Sequence, residues 1–75
     1  SMLEQRQVHY RGRVQGVGFR YTTRQVVSGF AVTGYVQNLP DGRVLLVAEG
    51  DDAEIDRFMA AIDDAMRGNI TGVDV

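Results

Sequence analysis

Residues 7–30 of the chain read QVHYRGRVQGVGFRYTTRQVVSGF, and the pattern of side chains changes twice within this stretch. Residues 7–11 alternate apolar and polar side chains, which is typical of a β-strand. Residues 12–18 contain three glycines and predict a loop. The positions that follow at helical spacing on one face are Phe19, Thr23, Val26, Val27 and Phe30. A strand, a glycine-rich loop and a helix are therefore expected in succession, with Gly29 placed to end the helix.

Two further strands are predicted after this helix. They cover Val32–Asn38 and Arg43–Glu49 and are joined by a turn. In the turn, Pro40 fixes φ and Gly42 accepts a positive φ. The middle of the second of these strands is apolar on both faces, which indicates a central position in a sheet.

The second helix has clear boundary signals. Asp51 is placed as its N-cap, and Glu54 follows three residues later as in a variant of the capping box. Its apolar stripe consists of Ile55, Phe58, Met59, Ile62 and Met66. Gly68 is expected to end it, and Ile70–Val75 is predicted to be the last strand. Right-handed crossovers arrange this βαββαβ order as a ferredoxin-like α+β sandwich, an antiparallel sheet with two helices on one face.

Length and composition exclude several classes of protein. The 75 residues predict a single domain, 1–75, with an ordinary globular share of hydrophobic (44%) and charged (24%) residues. The absence of cysteine excludes a disulfide scaffold, a thiolate zinc site and a cysteine nucleophile. A net charge of −2 argues against a general nucleic-acid binder, and no apolar run approaches the length of a transmembrane helix. We therefore expect a cytoplasmic protein.

The loop over residues 12–18 is the candidate anion site. Its glycines allow backbone N–H groups to converge, and the N-terminus of the following helix faces the same space. Arg20, in the first helical turn, can hold a phosphate through two parallel hydrogen bonds. Glycine-rich turns and solvated arginines are also common without a ligand, so the loop alone leaves both readings open. No Gly-Lys-Ser/Thr sequence follows, which excludes a Walker loop.

The spacing between Val14 and Arg20 indicates which kind of nucleophile the loop could use. Phosphatases with a catalytic cysteine place five residues between that cysteine and an arginine, and Val14 and Arg20 have the same separation. Valine cannot form a covalent intermediate, and no base is evident for Thr22 or Thr23. Water is therefore the expected nucleophile.

Asn38, at the end of the second predicted strand, is the second candidate residue. Its amide can hold a water molecule but cannot take its proton, and asparagine is equally typical before a turn for local hydrogen bonding. His9 is the only histidine and is expected to be structural. We predict no metal site, because the acidic residues near the second helix are expected to cap it or face solvent. These are Asp51, Asp52, Asp56, Asp63 and Asp64.

Two segments together resemble the acylphosphatase family. Gly12–Arg20, with the sequence GRVQGVGFR, resembles the first signature of that family. Gly34–Asn38, followed by Gly42, Val44 and Gly50, resembles the second. The resemblance covers about residues 6–75 and implies the ferredoxin-like sandwich. It also implies hydrolysis of the carboxyl–phosphate bond of acyl phosphates, without metal or cofactor.

The resemblance implies roles for individual residues. The catalytic arginine of the family falls on Arg20 and its catalytic asparagine on Asn38. The phosphate-binding backbone N–H groups fall on Gln15, Gly16, Val17, Gly18 and Phe19. The implied partners are a small acyl phosphate and inorganic phosphate, with no nucleic acid and no membrane, and the protein is expected to be a monomer.

The chain departs from the family pattern in two places. Tyr10 stands where a smaller aliphatic residue is more usual. Members of the family generally continue with another β segment after the part that matches Ile70–Val75. The chain is therefore expected to be short at its C-terminus, with a half-covered first strand, reduced stability and weak activity.

Three other functions are alternatives to an active acylphosphatase. One is a phosphate-binding module of this family that has lost turnover. Another is the similar domain of a larger carbamoyl-phosphate-processing protein. The presence of Tyr21 after Arg20 favours a stand-alone enzyme over such a domain. The third is an RNA-recognition module with the same element order, which needs aromatic side chains on its central strands. Arg43–Glu49 has none.

Overall fold

The structure, a computed structural model, describes residues 2–75 and contains four strands and two helices in that range. In chain order they are β1 (Leu3–Gly12), α1 (Phe19–Val27), β2 (Val32–Asn38), β3 (Val44–Asp51), α2 (Asp52–Ala65) and β4 (Ile70–Asp74). This is the predicted βαββαβ order. The largest difference is in β1, which begins well before the predicted segment 7–11.

The four strands form one sheet in the order β2-β3-β1-β4, and every neighbouring pair is antiparallel. β3 is therefore a central strand, as its apolar run predicts, and Val8 of β1 lies opposite Leu46 of β3. Side chains from both helices and from the sheet belong to a single core cluster. The predicted ferredoxin-like sandwich, with both helices on one face of an antiparallel sheet, is confirmed.

Two buried aromatic rings of the core meet where α1 begins. Tyr10 of β1 and Phe19 of α1 are both buried, and their ring centroids lie 5.0 Å apart. The Tyr10 hydroxyl has no hydrogen-bond partner within residues 2–75, and burial raises the pKa of this phenol above its ordinary value. Tyr10 thus acts as a core side chain, and its ring packs against the first residue of α1. This contact fixes the end of the loop that joins β1 to α1.

The start of α2 differs from the predicted capping box. Asp51 is the N-cap, but its side chain makes no capping hydrogen bond. The Ala53 N–H donates to Oδ1 of Asp52 at 2.7 Å instead. Glu54 accepts from the Ala31 N–H at 3.0 Å, which lowers the pKa of the Glu54 carboxyl. The carboxylate therefore connects α2 to the start of β2, a tertiary contact that replaces the predicted local one.

Gly29 and Gly68, which are predicted to end the two helices, lie beyond the last helical residues. α1 ends at Val27, and the chain leaves it through hydrogen bonds of 3₁₀ type without a positive φ at Gly29. α2 ends at Ala65, and Gly68, with φ +87°, lies three residues beyond that end. Gly68 therefore redirects the chain toward β4 after α2 has already ended.

The outer edge of β1 is only partly covered. β4 pairs with β1 between His9 and Gly12, whereas Leu3–Val8 pairs with no strand on that side within the part of the chain that the structure describes. Backbone donors and acceptors along this half of β1 are therefore open to another strand.

We expect a chain in which β4 is extended along Leu3–Val8 to be more stable than the 75-residue chain, because these backbone groups then gain partners. In a domain of this size a gain of about 1 kcal/mol corresponds to about 4–8 °C in Tm. Thermal unfolding measures the gain, and sedimentation velocity checks that each chain is monomeric. An extension of equal length built from glycine and serine is the control. Equal Tm values for all three chains, each of them monomeric, would show that the open edge has no cost.

Candidate active site

The loop between β1 and α1 contains two glycines in a left-handed conformation and leads into a helix start that no side chain caps. Gly16 and Gly18 have φ values of +74° and +81°, a left-handed conformation that glycine adopts without strain. Gly18 is the N-cap of α1, no side chain caps this end, and the first turn contains no acidic residue. The first N–H groups of a helix have no partner within the helix. They are therefore available, with the loop amides, to a bound anion.

The sheet topology brings the end of β2 to the start of α1. β1 and β2 are both antiparallel to β3 and so run in the same direction, while α1 returns between them. Arg20 and Asn38, eighteen residues apart, line one cavity of about 230 Å³. The other lining residues are Val14, Gly16, Gly18, Phe19, Tyr21 and Arg24. The two candidate side chains therefore lie against one space with the glycine loop.

Not every predicted loop residue faces this cavity. Val17 does not line it and exposes 38% of its surface. Gln15 does not line it either, and its side-chain amide instead donates two hydrogen bonds to backbone carbonyls of another loop. Between Val14 and Phe19, the residues that line the cavity are Val14, Gly16, Gly18 and Phe19.

Val14 is fully buried and forms part of the cavity wall, so the position that would hold a nucleophile in a cysteine phosphatase has an aliphatic side chain. Thr23 is buried on α1 but does not line this cavity. His9 lies on β1 between Leu45 and Asp74 and does not line it either. None of these three residues therefore presents a nucleophilic side chain to the cavity.

The charge of the cavity wall is positive. Arg20 and Arg24 are one helical turn apart on α1, and the cavity lining contains no acidic residue. Within residues 2–75, neither of these two guanidinium groups forms an ion pair, whereas five other arginines do. Both are therefore free to interact with an anion. Sequence reasoning missed Arg24, although its spacing of four residues from Arg20 was a usable signal.

A second, larger cavity of about 420 Å³ lies between α1 and β2 and shares Arg24 with the first. Its wall is mainly aliphatic and aromatic, including Val27, Val36 and Phe58. We consider the smaller cavity the candidate active site, because charged and amide side chains meet the glycine loop there.

Residues 2–75 contain no group of three or more His, Asp or Glu side chains that is arranged to hold a metal ion. None of the helices in the same range has both the length and the apolar character needed to cross a membrane.

Comparison with known proteins identifies relatives over most of the chain. A family model described as Acylphosphatase matches residues 6–75. The chain is 48% identical over 56 residues to the Acylphosphatase of Archaeoglobus fulgidus, an alignment that covers 75% of this chain and 63% of that protein. It is 51% identical over 51 residues to the Acylphosphatase of Latilactobacillus sakei, covering 68% and 55% respectively. The chain thus spans less than two thirds of either relative.

Solved structures of acylphosphatases have the same fold as this chain. The crystal structure of acylphosphatase from Bacillus subtilis superimposes with a TM-score of 0.85 at 35% identity, covering 97% of this chain and 81% of that one. An acylphosphatase from Coxiella burnetii gives 0.82 at 30% identity, covering 96% and 77%. The family match includes the glycine loop, Arg20 and Asn38. The chain belongs to the acylphosphatase family.

Proposed function

We propose that the protein hydrolyses the carboxyl–phosphate bond of small acyl phosphates, producing a carboxylate and inorganic phosphate. One observation carries the proposal: Arg20 and Asn38 line the same cavity as the glycine loop at the start of α1. A guanidinium and backbone N–H groups suit a phosphoryl group, and an amide at the same cavity suits a water molecule. Membership of the acylphosphatase family supports this reaction.

The phosphoryl oxygens are neutralised by Arg20 and by backbone N–H groups of the loop over residues 15–19, of which Gly16, Gly18 and Phe19 line the cavity. Arg24 adds a second positive charge to the same cavity wall. The start of α1 is held in place before the substrate arrives, since Phe19 is packed against Tyr10. Negative charge that develops on the transferred phosphoryl group is therefore stabilised without rearrangement of the loop.

Asn38 orients the attacking water in line with the bond that breaks. The water oxygen forms a bond to phosphorus, the bond between phosphorus and the acyl oxygen breaks, and the carboxylate leaves with the electron pair. Carboxylic acids have a pKa of about 4, so the leaving group departs without a proton. The water proton passes to a phosphate oxygen. No general acid is required, in agreement with a cavity lined by no histidine or carboxylate.

The wider setting is part of the same proposal. We place the enzyme in the cytoplasm as a monomer, acting on a small molecule and not on nucleic acid. The net charge of −2 argues against nucleic acid as a partner, and the absence of cysteine agrees with a reducing compartment such as the cytoplasm.

The test is a hydrolysis assay with benzoyl phosphate, in the presence and absence of a chelator. We expect hydrolysis that the chelator does not affect and that inorganic phosphate inhibits competitively. A phosphate monoester of an alcohol is the matched control substrate. We expect it to remain intact, because an alkoxide leaving group requires a general acid. Phosphate binding without turnover would instead indicate a binding module, and chelator-sensitive hydrolysis would contradict the mechanism.

A further inference from the structure

One side chain connects the glycine loop to the turn that follows Asn38. Gln15 lies in the loop, and its Nε2 atom donates to the carbonyl oxygen of Leu39 and to that of Arg43, both at 2.8 Å. A primary amide has two N–H groups, and both are used. In the part of the chain that the structure describes, these are the hydrogen bonds that join residues 14–18 to the turn between β2 and β3.

The two carbonyls that Gln15 binds are the two ends of that turn. The Leu39 N–H donates to the Arg43 carbonyl at 2.9 Å, and the Gly42 N–H donates to the Leu39 carbonyl at 3.2 Å. Asp41 accepts from the Arg43 N–H at 3.1 Å, which lowers the pKa of the Asp41 carboxyl. These hydrogen bonds within the turn fix its shape, and the two hydrogen bonds from Gln15 fix its position relative to the glycine loop.

Asn38 depends on this connection because of its position in the sheet. It is the last residue of β2, and β2 is an edge strand that pairs with β3 alone. Strand ends at the edge of a sheet open more readily than central strands. A displacement of about 1 Å in a positioned group can reduce a rate about 10²-fold. The residue after Asn38 is Leu39, whose carbonyl oxygen accepts a hydrogen bond from the Gln15 side chain.

We propose that Gln15 is a positioning residue that holds the Asn38 amide at a fixed distance from the phosphate bound in the loop. The inference rests on the proposed function. The Gln15 side chain touches neither substrate nor water and acts through the Leu39 and Arg43 carbonyls. Its backbone N–H remains part of the phosphate loop in every variant, so the side chain can be tested separately.

The first experiment compares Gln15→Ala and Gln15→Glu with the unmodified chain. Both variants lose the donors, and the glutamate keeps the shape of the side chain. We expect kcat to fall about 10-fold to 10²-fold in both, and in Gln15→Ala we expect KM and the inhibition constant of inorganic phosphate to change by less than about 3-fold. Gln25→Ala, an exposed position on α1, is the control and should behave as the unmodified chain. Unchanged kcat in both Gln15 variants would overturn the proposal.

A double variant distinguishes positioning from a general structural effect. If Gln15 acts through Asn38, then Gln15→Ala should lower kcat no further in a chain that already carries Asn38→Ala. A full additional loss in the double variant would overturn the proposal.

A failure of the unmodified chain to hydrolyse acyl phosphates would contradict the proposed function alone. The positioning role of Gln15 can still be tested in that case by a measurement that does not depend on catalysis. NMR titration with inorganic phosphate should shift the side-chain amide signals of Asn38 in the unmodified chain. We expect Gln15→Ala to abolish this shift while the backbone signals of the loop still respond. A shift of Asn38 that is the same in both chains would overturn the positioning role.

Discussion

Replacing Arg20 with alanine is expected to reduce benzoyl phosphate hydrolysis by at least about 10³-fold and to weaken the binding of inorganic phosphate in the same variant. Arg20 is in the first turn of α1 and lines the candidate cavity, and it forms no ion pair within residues 2–75. We therefore expect its charge to act on the ligand in both the ground state and the transition state. Steady-state kinetics and phosphate inhibition measure the two effects.

Lysine at the same position should restore little of the activity, because an ammonium group cannot make the bidentate contact of a guanidinium. Arg67→Ala is the matched control: Arg67 is an exposed arginine paired with Asp64 at the end of α2, outside the candidate cavity. It removes the same charge from the chain and should leave hydrolysis unchanged. Turnover like that of the unmodified chain in Arg20→Ala would rule out the proposed mechanism.

The second large effect is expected at Asn38. In Asn38→Ala we expect kcat to fall by about 10² or more, as for other preorganised polar groups, with phosphate affinity nearly intact. Orientation of the attacking water contributes in the transition state, so its loss appears in kcat. The kinetics of the variant, combined with its inhibition constant for inorganic phosphate, separate these two quantities.

Gln37→Ala provides the comparison for Asn38. Gln37 precedes Asn38 on β2, and successive side chains of a strand point to opposite faces, so Gln37 lies next to the cavity without lining it. We expect its kcat to remain at the level of the unmodified chain. If phosphate binding fell as far as turnover in Asn38→Ala, Asn38 would be a ligand of the phosphate or a structural residue.

The order and type of the elements could be predicted because the signals for them are local. The alternation in β1, the helical spacing that begins at Phe19 and the turn residues Pro40 and Gly42 each act over a few neighbouring positions. The same holds for the candidate loop, since its glycines and Arg20 are consecutive in the chain. The two family signatures then indicated Asn38, which no local physical argument distinguished from an ordinary residue before a turn.

The contacts that the sequence could not supply join residues far apart in the chain. Glu54, predicted to cap its own helix, bonds to Ala31, and Gln15, predicted to act through its backbone, also binds the Leu39 and Arg43 carbonyls with its side chain. A carboxylate or an amide has several partners of similar energy, and the choice among them depends on which backbone groups the packed sheet and helices bring within reach. Only the tertiary structure determines that proximity, because the strand order β2-β3-β1-β4 places these distant segments side by side.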